Sequence, residues 1–348
     1  MAKSPYASTT AQVGVRSLLY LQNPDARDEL GDTGAAGEVN IVLRGRSHRF
    51  FGWQVGFMGV LADTTSTSAH LLDLVAEVEF AAALNLWLGR MPIPADRTSL
   101  STVWAIAPQT LPGRYGSFAP VPPAGSRPEA GPRLGELCRG DGAVLWGQVR
   151  GGRFKYYLGA FGLDQPSRSP LYSARVALSL LDPEPGFRNS SAYFGGKRVL
   201  GIGLGAQHRT QGSRPSATST VLPADFDEVN ADVLFEVGNE AAGVLAVEGA
   251  FARLWGQNEV VGYQLFALAS YLVPLEVGIG RFQPLFRVQH ASPGSADDAS
   301  EFTSIDAQLG YIIDGHRIRA NAGYQYSRIG GQPENAILLG VQLQSEVR

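Results

Sequence analysis

Apolar and polar residues alternate along most of this 348-residue chain, in about sixteen stretches of roughly ten to fifteen residues each. In 316–328, Ile318 and Tyr324 share one parity with other apolar residues, whereas Arg319 and Gln325 share the other parity with polar residues. Successive side chains of a β-strand point to opposite faces. The pattern therefore predicts strands with one apolar face and one polar face.

The alternating stretches predict sixteen strands. They span 10–22, 36–47, 49–61, 68–79, 82–91, 141–150, 153–163, 169–181, 195–209, 227–237, 242–254, 259–273, 276–291, 301–313, 315–329 and 334–345. The connections are alternately short and long, as in bacterial outer-membrane barrels, which have short periplasmic turns and longer outer loops. The sequence therefore predicts an all-β fold, a transmembrane antiparallel up-and-down β-barrel that forms a single domain over 1–348.

A soluble β-rich binding protein is the alternative that periodicity alone does not separate from a barrel. Strand length, strand number and the Tyr and Phe residues near strand ends favour the barrel, because aromatic girdles lie at the membrane interfaces. The formal net charge of −3 argues against nucleic acid as a partner. The start of the chain, 1–5, lacks the apolar core of a signal peptide, so we interpret the sequence as a mature outer-membrane form with a replaced start.

One connection, 92–140, is about fifty residues long and rich in proline and glycine. Loops of this length in a compact fold are usually functional or disordered. We expect this loop, between the fifth and sixth strands, to fold into the barrel and narrow it; a mobile outer loop is the alternative. Its candidate constriction residues are Arg97, Arg114, Arg127 and Arg133. A second connection, 182–194, is longer than the others on its side of the barrel.

The polar parity of a barrel faces its lumen, so we expect the charged residues of that parity to line a pore. The candidate basic residues are Arg16, Arg44, Arg46, Lys155, Arg175, Arg281, Arg287, Arg317 and Arg319. The acidic residues are Glu77, Glu79, Asp232, Glu236, Glu248 and Asp306. The basic excess predicts a weakly anion-selective pore. The alternative for each residue is that it pairs across the lumen and only keeps the wall hydrated and rigid.

Five short stretches resemble the phosphate-selective porin family (porin O and P type) of Gram-negative outer membranes, and they occur in the family's order. They are Leu88-Gly89-Arg90-Met91-Pro92-Ile93-Pro94, Phe154-Lys155-Tyr156-Tyr157-Leu158-Gly159-Ala160-Phe161, Ser173-Ala174-Arg175-Val176-Ala177-Leu178 with Asp182-Pro183-Glu184-Pro185-Gly186, Val199-Leu200-Gly201-Ile202-Gly203-Leu204-Gly205-Ala206, and Ala320-Asn321-Ala322-Gly323-Tyr324-Gln325-Tyr326. The resemblance implies a sixteen-stranded barrel, a homotrimer and an inward-folded third outer loop. The resemblance implies that phosphate selectivity depends on pore lysines and on an arginine ladder. This chain has only Lys3, Lys155 and Lys197, and none of them lies in the long loop. We therefore do not predict phosphate specificity from the resemblance.

The predicted function is a passive, weakly anion-selective outer-membrane channel for small hydrophilic solutes, with outer-membrane lipid and lipopolysaccharide as its surroundings. The five histidines are scattered without ligand spacing, and no Gly-x-Ser-x-Gly motif is present, so we expect no metal, no cofactor and no enzymatic activity. The glycines in 201–205 are expected to form a flat inner wall rather than a phosphate loop. The alternative function is a plugged structural barrel that anchors a cell-envelope protein complex.

Overall fold

The computed structural model describes residues 8–22, 33–62, 66–112, 139–162, 169–213, 224–239, 241–256, 261–294 and 301–347. Within these ranges the chain forms sixteen long strands. They are β1 Ser8–Gln22, β2 Thr33–His48, β3 Phe51–Ala62, β4 Ser66–Ala81, β5 Leu84–Pro92, β6 Arg139–Val149, β7 Phe154–Phe161, β8 Leu171–Ser179, β9 Val199–Ser213, β10 Ala224–Asn239, β11 Gly243–Trp255, β12 Val261–Leu272, β13 Gly280–Pro293, β14 Phe302–Asp314, β15 Ile318–Ile329 and β16 Gln332–Val347.

Each strand pairs antiparallel with the strand before it and the strand after it. β16 also pairs with β1, from Ala11 opposite Val347 to Gln22 opposite Ala336, so the sheet closes on itself. A two-residue strand, Glu276–Val277, pairs with the start of β13 in the hairpin that follows β12. A closed antiparallel sheet satisfies every strand edge internally, which is the condition for strands to cross a lipid bilayer.

The two faces of the barrel differ in chemistry. Large apolar side chains such as Leu158 and Leu204 point outward and are 54% and 56% exposed. Side chains of the opposite parity point inward, and many are polar and buried, among them Gln54 and Asp232. This is the arrangement expected of a barrel with a lipid-facing outer surface and a polar interior.

Two connections enter the lumen from opposite ends of the barrel. The lumen loop segment, 93–112, follows β5 and contains the helix α1 Arg97–Leu100 and a 3-10 turn, Val103–Ala105. The lumen turn segment, 180–198, joins β8 to β9 at the end where the other connections are short, such as the 3-10 turn Arg150–Gly152 between β6 and β7. No helix in the described ranges is long and apolar enough to cross a membrane.

The predicted fold class, a closed antiparallel barrel of sixteen strands, is confirmed. The described part of the predicted constriction loop, 93–112, lies inside the barrel, and 113–138 lies outside the described residues. The predicted thirteenth strand, 276–291, is divided in the structure because Gly278 has a φ of 68°. That conformation favours glycine and permits the tight turn between Glu276–Val277 and β13.

Candidate functional site in the barrel lumen

The lumen loop segment is almost entirely buried between the walls of the barrel. Ile93, Ala95 and Leu100 are no more than 1% exposed. Asp96 caps the start of helix α1: its Oδ1 accepts a hydrogen bond from the Ser99 backbone N at 2.6 Å, while Ser99 Oγ accepts one from the Asp96 N at 3.0 Å. This reciprocal capping satisfies backbone donors at the helix start, so even a one-turn helix is well defined inside the lumen.

The lumen turn segment contacts the lumen loop segment directly. Arg97 donates to both carboxylate oxygens of Glu184, at 2.8 and 2.7 Å, and to the Ser190 carbonyl oxygen at 2.9 Å. Main-chain bonds continue the contact, because the Ser191 N donates to the Ala105 oxygen at 2.9 Å. Arg97 and Glu184 are both about 3% exposed at the side chain, so this is a buried, bidentate ion pair.

An aromatic cluster holds the lumen turn segment against the wall. The Phe187 ring stacks on Trp87 with ring centroids 4.3 Å apart and meets Trp146 and Tyr157 edge-on at 5.5 and 5.3 Å. Tyr157 Oη also donates to the Phe187 carbonyl oxygen at 2.9 Å. Apolar packing of this density inside a barrel resembles the core of a soluble protein, and it fixes this segment in the lumen.

Arg175 on β8 joins the wall to the start of α1. Its Nη1 and Nη2 donate to the two carboxylate oxygens of Asp232 on β10, at 2.5 and 3.0 Å, and its Nη1 contacts the Ala95 oxygen at 3.3 Å. Asp232 also accepts from the Arg97 backbone N at 3.1 Å. The carboxylate of Asp232 therefore links the inner wall to the first residue of α1.

Arg287 on β13 holds the far end of the lumen loop segment. Its Nε donates to Asp306 at 2.8 Å, and its two Nη atoms donate to the Thr110 carbonyl oxygen and hydroxyl at 2.7 and 2.8 Å. Arg287 is completely buried. The guanidinium of Arg287 thus pairs with the carboxylate of Asp306 on the wall and also binds Thr110 of the lumen loop segment.

Arg319 on β15 donates to the carbonyl oxygens of Ile106 and Ala107 at 2.6 and 3.0 Å, and to Gln342 Oε1 at 2.9 Å. Arg16 on β1 lies 3.8 Å from the Glu38 carboxylate. Both arginines are 1% exposed. These two cations therefore lie behind the lumen loop segment.

Lys155 is the one predicted basic residue held mainly by the lumen turn segment. Its Nζ contacts Asn189 Oδ1 at 2.5 Å and the Gly186 oxygen at 3.3 Å. It is 1% exposed.

The remaining predicted pore residues lie near the end of the barrel with the short turns. Arg44 donates to Gln54 at 3.0 Å, and Arg46 forms an ion pair with Glu79. Arg281, at the start of β13, lies opposite Glu276 of the two-residue strand. Arg317 is in the turn after β14, pairs with Asp314 and is 67% exposed at the side chain, so it lies at the rim rather than beside the buried arginines. The predicted constriction residues Arg114, Arg127 and Arg133 lie outside the described residues.

Glycines shape the inner wall around the two segments. A Cβ at Gly201 would meet the Arg97 guanidinium and the Glu184 carboxylate, and one at Gly340 would meet the Gln109 side chain. The flat wall that the glycines in 201–205 were expected to form therefore accommodates side chains of the lumen segments. Because the missing Cβ atoms of the wall glycines leave room for particular side chains of the two lumen segments, these segments pack against the wall in one specific position.

The charged groups of the two segments titrate according to their burial and partners. Burial raises the pKa of Asp96 to about 6, with nearby Asp232 adding to the rise. Glu184 is also buried, but Arg97 outweighs that effect and lowers the pKa of Glu184 to about 2. Burial lowers the pKa of His316, in the turn between β14 and β15, to about 3. At neutral pH the Arg97–Glu184 pair is therefore charged and His316 is neutral.

Sequence reasoning placed the buried arginines on the inward parity, but it missed their hydrogen bonds to loop carbonyl oxygens. It also missed Phe187, Glu184 and Asn189 as lumen residues, because 182–194 has no strand periodicity. The sequence carried two signals for that connection: its excess length, and the resemblance of Asp182-Pro183-Glu184-Pro185-Gly186 to the phosphate-selective porins. Among the described residues, no group of three or more His, Cys, Asp or Glu side chains is arranged to hold a metal ion.

No protein-family model and no curated protein matches the sequence. Solved structures do match over nearly the whole chain. OprB of Pseudomonas putida has a TM-score of 0.62 at 10% identity, covering 98% of this chain and 94% of that one. A loop-deletion mutant of the outer-membrane protein OmpT of Vibrio cholerae has a TM-score of 0.60 at 12% identity, covering 98% and 100%. A mutant of the Rh. blastica porin has a TM-score of 0.53 at 12% identity, covering 97% and 100%. The chain therefore has the fold of bacterial outer-membrane porins.

Proposed function

We propose that this protein is a channel of a bacterial outer membrane through which small hydrophilic solutes pass without chemical change. The observation that carries the proposal is the closed sixteen-strand ring with an apolar outer face and a polar inner face, in the fold shared with outer-membrane porins. Such a ring encloses space for an aqueous path when its interior is not filled by side chains. We propose that the apolar outer face contacts the lipid and lipopolysaccharide of the outer membrane.

A weak preference for anions is part of the proposal. Arg16, Arg175, Arg287 and Arg319 line the lumen, and Arg97 adds a guanidinium from the lumen loop segment. Carboxylates balance the positive charge of several of these arginines: Asp232 pairs with Arg175, and Asp306 pairs with Arg287. Arg319 has no carboxylate within 4.0 Å among the described residues, which supports a net attraction of anions.

Conductance in a planar bilayer under a KCl gradient tests both parts of the proposal. We expect discrete open-channel steps and a reversal potential on the chloride side of zero. The variant Arg319→Gln should move the reversal potential towards zero, and Arg328→Gln, an exposed residue of the same strand, should not. Absence of steps from protein that has inserted and folded would contradict the channel.

A second candidate is a closed barrel that anchors a cell-envelope protein complex. The observation in its favour is the extent to which the two lumen segments fill the interior, with the Phe187 cluster on one side and the buried arginines on the other. The bilayer experiment separates the two candidates, because an anchor inserts without conducting.

We also propose a homotrimer, which the trimer form of OmpT, a match with a TM-score of 0.59 and 13% identity, supports at the level of fold. Light scattering of the protein in detergent should give three times the mass of the 37.2 kDa chain after subtraction of the detergent.

A further inference from the structure

Four outward residues form a row across β8 to β11, near the end of the barrel where the connections are long. Tyr172 on β8 is opposite His208 on β9, and His208 is opposite Asp227 on β10. Asp227 is in turn opposite Trp255 on β11. Tyr172 and Trp255 are 51% and 45% exposed, as expected of aromatic residues at a membrane–water interface. His208 and Asp227, between the two rings, therefore lie at the level of that interface.

The His208 ring connects a carboxylate to a hydroxyl. Its Nδ1 lies 2.8 Å from Asp227 Oδ1, and its Nε2 lies 3.2 Å from Thr210 Oγ1. A carboxylate only accepts hydrogen bonds, so Nδ1 carries the proton and donates to Asp227, and Nε2 accepts from the Thr210 hydroxyl. A hydroxyl, an imidazole and a carboxylate in this order form the arrangement of a nucleophile, its base and the group that orients the base.

Thr210 lies where β9 departs from regular pairing. In the pairing of β9 with β8, His208 is the last paired residue of β9. In the pairing of β9 with β10, 210–212 have no partner, because the register shifts between Arg209 and Ser213. Such bulges redirect side chains and are frequent beside active sites. Backbone N–H groups that no strand pairing uses are the donors that we expect to hold an oxyanion beside Thr210.

An open groove of about 890 Å³ on the outer face adjoins this row, and His208 and Asp227 form part of its border. Outward apolar residues line it, among them Leu158, Ala174 and Ala206. The two alanines leave space that a linear apolar chain fills when it lies along the wall. The interface is where the headgroups of lipids meet their acyl chains. An acyl chain in the groove therefore brings its ester carbonyl to the level of His208.

We propose that Thr210, His208 and Asp227 form a catalytic site that hydrolyses acyl esters of membrane lipids, with the acyl chain in the groove. Thr210 Oγ1 attacks the ester carbonyl carbon while its proton passes to His208 Nε2. The bond from this carbon to the alcohol oxygen then breaks, His208 protonates the leaving alcohol, and the acyl group remains on Thr210. A water molecule attacks the acyl group and gives a proton to His208, which returns it to Thr210 as the fatty acid leaves. Asp227 orients the ring throughout.

This activity is additional to the proposed channel and differs from the expectation that the chain has no enzymatic activity. The sequence did not indicate the site, because Asp227 is separated from His208 and Thr210 by the connection between β9 and β10. Only the pairing of these two strands brings the three side chains together. The site lies on the outer face, so it does not depend on an open lumen.

A fluorophosphonate with a long alkyl chain tests the nucleophile in the folded protein in detergent micelles. The Thr210 oxygen should displace fluoride from phosphorus, and mass spectrometry should locate the adduct on Thr210. The variant Thr210→Val keeps the shape of the side chain, removes the hydroxyl and should abolish the adduct. Thr303→Val is the matched control: Thr303 Oγ1 lies 3.1 Å from His290 Nδ1, but the other nitrogen of that ring faces Tyr263 Oη instead of a carboxylate.

Hydrolysis of p-nitrophenyl laurate in a detergent without ester bonds tests the base and the groove. We expect His208→Gln to lower the rate about a hundredfold, the usual contribution of a positioned general base. Asp227→Asn should lower the rate as well. Ala206→Phe fills the groove and should slow hydrolysis of the laurate but not of p-nitrophenyl acetate. All four variants are on the outer face, and heat-modifiable migration in SDS gels shows whether each one is folded.

Fatty-acid release from phospholipid vesicles and from lipopolysaccharide then identifies the lipid, and release from either supports the proposal. The proposal is overturned if the folded protein gives neither an adduct nor fatty acid, or if folded Thr210→Val is as active as the unchanged protein. A barrel that hydrolyses esters without conducting would retain the site and refute the channel. A conducting barrel without hydrolysis would refute the site alone.

Discussion

Gly201 on β9 shows how the absence of a single side chain positions a charged contact. Its missing Cβ leaves room for the guanidinium of Arg97 and the carboxylate of Glu184, which meet directly above it. Outward glycines have no such role: a Cβ at Gly59 on β3 would have no heavy atom within 4 Å. The two glycines therefore form a matched pair for experiment.

We expect Gly201→Ala to loosen the contact between the two lumen segments, because added volume in a packed site typically costs about 1–3 kcal/mol. The amide of Ser191 should exchange roughly tenfold faster. Gly59→Ala should leave that rate unchanged, and equal effects of the two substitutions would show that Gly201 has no special relation to the ion pair.

His316 is the residue whose titration should make the lumen turn segment sensitive to pH. Its Nε2 lies 2.8 Å from the Ala192 oxygen, and its ring packs edge-on against Phe194. Burial, with a smaller contribution from Arg319, lowers the pKa of His316 from 6.5 to about 3 while the lumen turn segment is docked inside the barrel. We call this docked arrangement the closed form, and the arrangement in which the segment has left the His316 ring the released form. Between pH 6.5 and pH 3 the released form binds a proton that the closed form does not, so the closed form loses stability as the pH falls from 6.5.

The expected loss at pH 5 is roughly 2 kcal/mol relative to pH 7, since each pKa unit corresponds to about 1.4 kcal/mol. Asp96 acts in the opposite direction: its raised pKa of about 6 disfavours the closed form as the pH rises from 3.8 to 6. The His316→Gln variant isolates the histidine, because Asp96 is common to both proteins. Exchange of the Ser191 amide at pH 5 and 7 is the measurement, and an identical pH dependence in the variant would refute the assignment.

At the scale of elements, the apolar anchor of the lumen turn segment is the Phe187 ring, which packs among Trp87, Trp146 and Tyr157. Removal of a buried phenylalanine ring typically costs about 3–5 kcal/mol. We expect Phe187→Ala to release the segment and to increase single-channel conductance, with the barrel still folded. Phe286→Ala, which removes an outward ring that is 51% exposed, should not alter conductance. An unchanged conductance in Phe187→Ala would show that this segment does not limit the path.

The elements that the sequence predicted well are those with periodicity. All sixteen strands were predicted from alternation, because the inward and outward faces of a barrel differ in polarity along the whole strand. The entry of 93–112 into the lumen was predicted from loop length. The bonds of Arg319 to Ile106 and Ala107 were not, since they depend on where an aperiodic loop crosses the wall. Phe187 was missed for the same reason: a single aromatic residue in an irregular segment carries no periodic signal.

At the scale of the whole molecule, the apolar outer face should determine insertion. An arginine on the lipid face near the bilayer midplane costs about 2–4 kcal/mol, and one near an interface about 0–1 kcal/mol. We therefore expect Leu204→Arg, on the outer face of β9, to reduce the folded fraction in liposomes. Ile279→Arg, in the turn before β13, should have little effect. Migration of unheated samples in SDS gels measures the folded fraction, and equal yields for the two variants would contradict a lipid-facing position of Leu204.

The ion pair between the two lumen segments joins residues 87 positions apart in the chain. Arg97 belongs to a loop from one end of the barrel and Glu184 to a turn from the other, and neither charge has solvent to replace its partner. A substitution at one position leaves an uncompensated charge at the other. The two connections, which a barrel could otherwise vary independently, are therefore bound to change together during evolution.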